Sequence, residues 1–210
     1  MSRLRIVPIV EGHGEVAAMR ILLQRLWTEL LGGEFIDVLM PIRKKRDRLV
    51  KVDDDELCRA VQLAANKLTL ATGEPMPGMI LVMIDAENDL ACQLGPALLE
   101  RARRCRSDKD VTCVIANHCY ETWFVAAASS LSKYLDLTND AALPESPELT
   151  GQRKGWIAER ILGPKYSETV DMPRLTAEMD LAQCRLRSPS FDKLCRELEA
   201  RLTRTQTCSD

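Results

Sequence analysis

At 210 residues, with 46% hydrophobic and 29% charged residues, the chain has the composition of a globular domain with a sizeable core. A formal net charge of −2 excludes a uniformly basic nucleic-acid binder and leaves room only for a locally basic groove. No apolar run reaches the roughly 18 residues that span a bilayer, and Pro8 and Glu11 interrupt the N-terminal one, which argues against a membrane protein and a signal peptide.

In chain order, "RIVPIV" predicts a first strand. The spacing of Ala18, Ile21, Leu22, Leu26 and Leu30 predicts a helix stopped by Gly32-Gly33. "FIDVLMPI" predicts a second strand closed by Pro41. A basic loop "RKKRDR" (Arg43 to Arg48), an acidic helix start "DDDE" (Asp53 to Glu56) and a helix follow. "GMILVMIDAEND" reads as a third strand, almost continuously apolar, as a strand buried on both faces should be. The next helix is expected to have Pro96 in its first turn. "VTCVIAN" is a fourth strand and "YETWFVAAASSLSKYL" a helix. This alternation predicts an α/β fold with a mainly parallel sheet over residues 1–137, and a site that joins Glu11 to Asp85 requires its first and third strands to be adjacent.

A linker rich in Pro, Ser and Thr opens the remainder, 138–210, which is then helical only: "QRKGWIAERIL", "PRLTAEMDLAQCRL" and "SPSFDKLCRELEARL", the last capped by Ser188-Pro189, before a frayed "TQTCSD". The eight cysteines form no CxxC pair and mostly fall within apolar or helical patterns. Free thiols in a reducing cytoplasm are the expectation.

In parallel α/β sheets, ligands bind beyond the carboxyl ends of the strands. Three of the four predicted strands reach acids there: Glu11 after the first, Asp85, Glu87 and Asp89 after the third, Glu121 after the fourth. Taken singly, each can serve a helix N-terminus. Together, carboxylates converging on one edge repel unless a cation holds them, and oxygen ligands suit Mg²⁺ or Mn²⁺. "VEGHGEV" has the strand–glycine–helix layout of a phosphate loop but lacks the lysine and carries two acids, so direct phosphate binding there would be repulsive.

A strand-end Glu-Gly at Glu11 with Asp85-Ala86-Glu87 after a later strand resembles the TOPRIM domain of topoisomerases, DnaG-type primases and OLD-family nucleases. The segments "VEGHGE", "MIDAEND", "NHCYETWFVA" and "DLAQCRLRSPSFDKL" together resemble an uncharacterised TOPRIM-like family, related to the nuclease half of OLD proteins and often encoded beside ABC-type ATPases. The resemblance implies a TOPRIM-like, Rossmann-like sheet with a C-terminal helical extension. It also implies a Mg²⁺- or Mn²⁺-dependent nuclease acting on nucleic acid, with DNA ahead of RNA, in a defence-type system with an ATPase partner. Glu11, Asp85 and Glu87 would be the ligands, with Asp89 and Glu121 as additional ones. The sequence departs from the TOPRIM pattern at Glu87, where the second acid is Glu instead of Asp. A non-catalytic subunit docking on an ABC-type ATPase is the alternative, and self-association is left open.

His13 and His118, the only histidines, lie beside strand-end acids, and each is a candidate to act as a general acid or to orient a phosphate. Arg43, Lys44, Lys45 and Arg46 fall at the same sheet edge and are candidates to hold a nucleic-acid backbone. Lys154, Arg185 and Arg187 could form a second anion-binding patch from the helical tail, but read first as ordinary solvated helix ends.

Overall fold

The computed structural model describes residues 2–138, 143–149 and 153–207. Its centre is a parallel sheet of β1 (Arg3–Val10), β2 (Phe35–Val38), β3 (Ile42–Arg43), β4 (Gly78–Asp85) and β5 (Asp110–Ala116). The strand order is β2-β1-β4-β5, with β3 also pairing with β1. The expected adjacency of the first and third predicted strands is met, since β1 pairs with β4 and Ile9 lies opposite Val82. Helices α1 (His13–Arg25), α2 (Arg46–Val50), α3 (Glu56–Leu70), α4 (Ala91–Cys105) and α5 (Glu121–Ala126) belong to the strand–helix part. Helices α6 (Arg153–Arg160), α7 (Glu168–Glu178), α8 (Leu181–Arg187) and α9 (Pro189–Thr207) follow.

Side-chain alternation along the central strands divides the core into two layers. Met79, Leu81 and Met83 of β4 join Leu4, Ile6 and Val10 against α1, α5 and α7 to α9. Ile80, Val82 and Ile84 join Val7 and Ile9 against α3 and α4. Both faces of β4 are therefore buried, which is why its sequence shows no polar alternation. The C-terminal helices share the first layer with the sheet, and α7 packs along α1.

Several local expectations need correction. The second predicted strand is broken into β2 and β3, because Pro41 has no N–H to continue a ladder. The basic stretch is not wholly a loop, since α2 begins at Arg46. Helix α4 starts at Ala91, so Pro96 lies beyond its first turn. The helix after β5 ends at Ala126 and gives way to a 3₁₀ turn, Ala128–Leu131. "PRLTAEMDLAQCRL" spans two helices, separated where the Asp180 side chain accepts the Gln183 N–H and caps α8. Ser188 does cap α9, its hydroxyl accepting the Phe191 N–H at 3.2 Å. Helix α9 continues to Thr207, through part of the tail expected to fray, while residues 208–210 lie outside the described residues.

The free-thiol expectation also fails at one pair. Cys58 of α3 and Cys105 of α4 form a disulfide, their Cα atoms 5.3 Å apart. The two residues are 47 positions apart, and only the packing of both helices on one sheet face brings them together. Cys92, Cys113, Cys119, Cys184 and Cys195 are free. A bridge closing so long a loop is worth about 2–4 kcal/mol. Thermal melts should therefore fall by several degrees in excess dithiothreitol, and Cys58→Ala should show the lower value without reductant. An identical melt in both conditions would mean the bridge contributes nothing.

Candidate functional site

Because the strands run parallel, their carboxyl ends and the acids that follow them emerge at one edge. The β1–β4 register brings Glu11 and Asp85 to nearly the same level. Glu11 Oε1 accepts the Asp85 N–H at 3.4 Å. Gly12 is extended (φ −107°, ψ 171°), and α1 starts at the next residue, which returns Glu15 on its first turn toward the strand end. Carboxylate oxygens of Glu11, Glu15 and Asp85 all lie within 4.8 Å of one another. Glu11 and Asp85 are half-buried and Glu15 is 6% exposed, with its Oε2 buried and lacking any hydrogen-bond partner.

Burial raises the Asp85 carboxyl well above the ordinary carboxylate range, and the charges of Glu11, Glu15 and Glu121 push the same way. Glu11 and Glu15 are also raised, in both cases chiefly by burial. Glu121, 3% exposed at the start of α5, accepts the Tyr166 hydroxyl at 3.2 Å. Asp85 Oδ1 accepts the Tyr120 N–H at 3.0 Å, which anchors the acid to the loop after β5.

These acids line a cleft of about 360 Å³. Lys45 and Arg46 stand on one side of it, and Lys154, Glu168 and Met172 of the C-terminal helices on the other. The helical extension thus forms a wall of the site. Lys154 is ion-paired with Glu168.

The remaining sequence candidates divide. Glu87 lines the cleft, but its side chain is exposed and lies 3.6 Å from Arg46. Asp89 is outside the cleft lining and is also paired with Arg46. Arg46 is buried and donates to the Asp85 carbonyl at 2.9 Å and the Ala86 carbonyl at 3.0 Å, so it holds the loop after β4. Lys44 is paired with Glu56 at 2.5 Å, and Arg43 is exposed on β3. Of the four basic candidates, Lys45 alone is both exposed and on the cleft. His13 is exposed, and neither histidine lines the cleft; the His118 ring contacts the Glu87 carbonyl. Arg185 is bound to Asp192 and Glu199. Arg187 donates to the Ala126 carbonyl.

Glu15 was not among the metal candidates read from the sequence. Its signal was the second acid of "EGHGE", three residues after Gly12, where a side chain would obstruct it. A Cβ on Gly12 would sit 2.3 Å from Glu15 Oε2, and one on Gly14 would sit 2.9 Å from Met172 Sδ.

The fold and site define an α/β protein with a convergent acidic cleft at the carboxyl edge of a parallel sheet. The chain belongs to the family described as Domain of unknown function (DUF4276), which it matches over residues 10–199. No curated protein and no solved structure matches it.

Proposed function

We propose that the protein is a Mg²⁺- or Mn²⁺-dependent phosphodiesterase of the nuclease type, with Glu11, Glu15 and Asp85 as ligands and Glu121 behind them. One observation carries this reading: three carboxylates within 4.8 Å of one another, one of them with an unpartnered buried oxygen. Of the cations lining the cleft, Arg46 is directed to backbone carbonyls, Glu87 and Asp89, and Lys154 to Glu168. An all-oxygen donor set of this kind fits a hard divalent cation, and like charges this close otherwise disfavour joint ionisation. Bound there, the ion would supply charge neutralisation at a phosphoryl oxygen.

The chain's own groups supply the rest. Lys45, exposed at the cleft, is placed to hold a phosphate beside the scissile bond. Asp85 closes β4 and Glu11 directly follows β1, so the pairing of the two strands brings the acids to one level. The likeness of Glu11 and Asp85-Ala86-Glu87 to the TOPRIM pattern supports the same chemistry, with DNA ahead of RNA as substrate.

The test is cleavage of DNA and RNA by the purified chain with Mg²⁺, Mn²⁺ or EDTA. Metal-dependent cleavage is expected, and Glu11→Gln and Glu15→Gln should each lower it about 100-fold or more, the scale for losing one group that stabilises transition-state charge. Absence of cleavage with either metal, alone and with an ABC-type ATPase added, would reject the nuclease and leave the docking-subunit alternative.

A further inference from the structure

Among the described residues, Glu87 and His118 are the only non-glycine positions with positive φ, at 51° and 63°. They are bonded to each other. The Glu87 N–H donates to the His118 carbonyl at 2.8 Å, and His118 Nδ1 lies 3.1 Å from the Glu87 carbonyl oxygen. A carbonyl oxygen can only accept, so Nδ1 is the protonated nitrogen of this ring. The left-handed backbone at both residues is what turns these groups toward one another across two loops. Histidine tolerates that conformation better than most side chains, whereas glutamate does not favour it. Such strain persists where the surroundings hold it, and it concentrates at functional sites.

We propose that Glu87 and His118 form a clasp that positions the acidic cleft, His118 acting through its Nδ1–H as a positioning residue and not as a proton donor to substrate. The clasp lies within a continuous set of bonds between the loops after β4 and β5. Ala86 N–H donates to the Ala116 carbonyl at 2.9 Å on one side, and Tyr120 N–H donates to Asp85 Oδ1 at 3.0 Å on the other. Asp85 is two residues before Glu87 and Tyr120 two residues after His118, so the clasp fixes the spacing of the acid and the N–H that orients it. Arg46 braces the same loop through the Asp85 and Ala86 carbonyls. His118 itself stays outside the cleft lining. This inference rests on the metal reading of the cleft only for its second readout.

Two substitutions separate the side-chain bond from the backbone strain, because glycine and asparagine both accept positive φ. His118→Asn places an amide N–H near the position of Nδ1, whereas His118→Gly removes the donor. The first readout is hydrogen exchange at the Glu87 amide in the metal-free protein. It should accelerate in His118→Gly and stay near wild type in His118→Asn. The second is Mn²⁺ affinity by calorimetry, which should weaken about 10-fold in His118→Gly and be preserved in His118→Asn, as expected for a group that orients a ligand. Glu87 amide exchange unchanged in His118→Gly would overturn the clasp. So would a His118→Asn protein as impaired as His118→Gly and lacking the alkaline limb of the wild-type pH–rate profile, since that assigns His118 to proton donation. Failure of wild type to bind Mn²⁺ would reject the metal reading instead, and the exchange measurement would still decide the clasp.

Discussion

Replacing Asp85 by Asn is expected to stabilise the metal-free protein and to abolish its stabilisation by Mn²⁺. The amide retains an oxygen to accept the Tyr120 N–H, so the 3.0 Å bond that anchors the loop can survive. What disappears is a carboxylate held among Glu11, Glu15 and Glu121, all of which disfavour its charge. Relief of that repulsion should be worth about 0.5–2 kcal/mol, in keeping with functional sites held below their stability optimum. Wild type, by contrast, should gain about 2.7 kcal/mol when Mn²⁺ is at 100 times its Kd. For a chain of this size each kcal/mol moves the melting temperature by about 2–4 °C, so both shifts are measurable by calorimetry. A carboxylate that merely served the local N–H groups would give a destabilised Asp85→Asn protein and no response to metal in either form. That result would remove the metal centre.

The same cluster fixes the sign of a pH effect. A carboxyl whose folded-state pKa is raised binds more protons folded than unfolded, so its contribution to stability falls as pH rises. For Asp85, Glu11 and Glu15 the loss begins above the unfolded values of 3.8 and 4.5 and continues through the raised folded ones. In EDTA, the gain from Asp85→Asn should therefore be small near about pH 5 and larger near about pH 8. Mn²⁺ should help wild type most at the higher pH, because its ligands must be deprotonated. A gain independent of pH would show that Asp85 does not titrate within this cluster.

The parts of this architecture legible in the sequence are those governed by local period and by strand direction. The unbroken apolar run of β4 implied burial on both faces, and the two core layers that divide its side chains account for it. Once β1 and β4 are parallel neighbours, Glu11 and Asp85 converge; alternation implied the parallel sheet, while the adjacency itself rested also on the expectation that the two acids meet. The unread parts depend on tertiary geometry. Glu15 sits on a helix, and its place in the cluster depends on the missing side chain at Gly12. Arg46 looked like a phosphate ligand in a basic loop, but α2 turns it inward to the carbonyls of Asp85 and Ala86. Lys154 and Glu168 lie on the C-terminal helices, and no spacing rule connects them with a cleft at the carboxyl end of β1. The Cys58–Cys105 bridge was hidden for the same reason: neither cysteine sits in a recognisable pair.

Alanine at Gly12 and alanine at Gly14 should fail in different ways, although the glycines are two residues apart. At Gly12 the added Cβ meets the end of the Glu15 side chain, 2.3 Å from Oε2 and 3.2 Å from Cδ. A side-chain terminus can move, so Gly12→Ala should fold while displacing Glu15 from Glu11 and Asp85. Its expected mark is weakened Mn²⁺ binding and lost cleavage, with a change in metal-free stability smaller than that at Gly14. At Gly14 the added Cβ meets Met172 Sδ at 2.9 Å and the Glu168 backbone carbonyl at 3.0 Å. Backbone cannot give way cheaply there, because α7 packs closely along α1. Overpacking of this kind typically costs about 1–3 kcal/mol, so Gly14→Ala should lower the melting temperature by several degrees. The cleft should suffer with it, since Glu168 and Met172 form part of its wall. Melting curves and Mn²⁺ titrations of the two variants decide the matter. If Gly12→Ala binds Mn²⁺ as tightly as wild type, Glu15 is not a ligand. The glycine before α1 would then be no more than the turn that starts the helix.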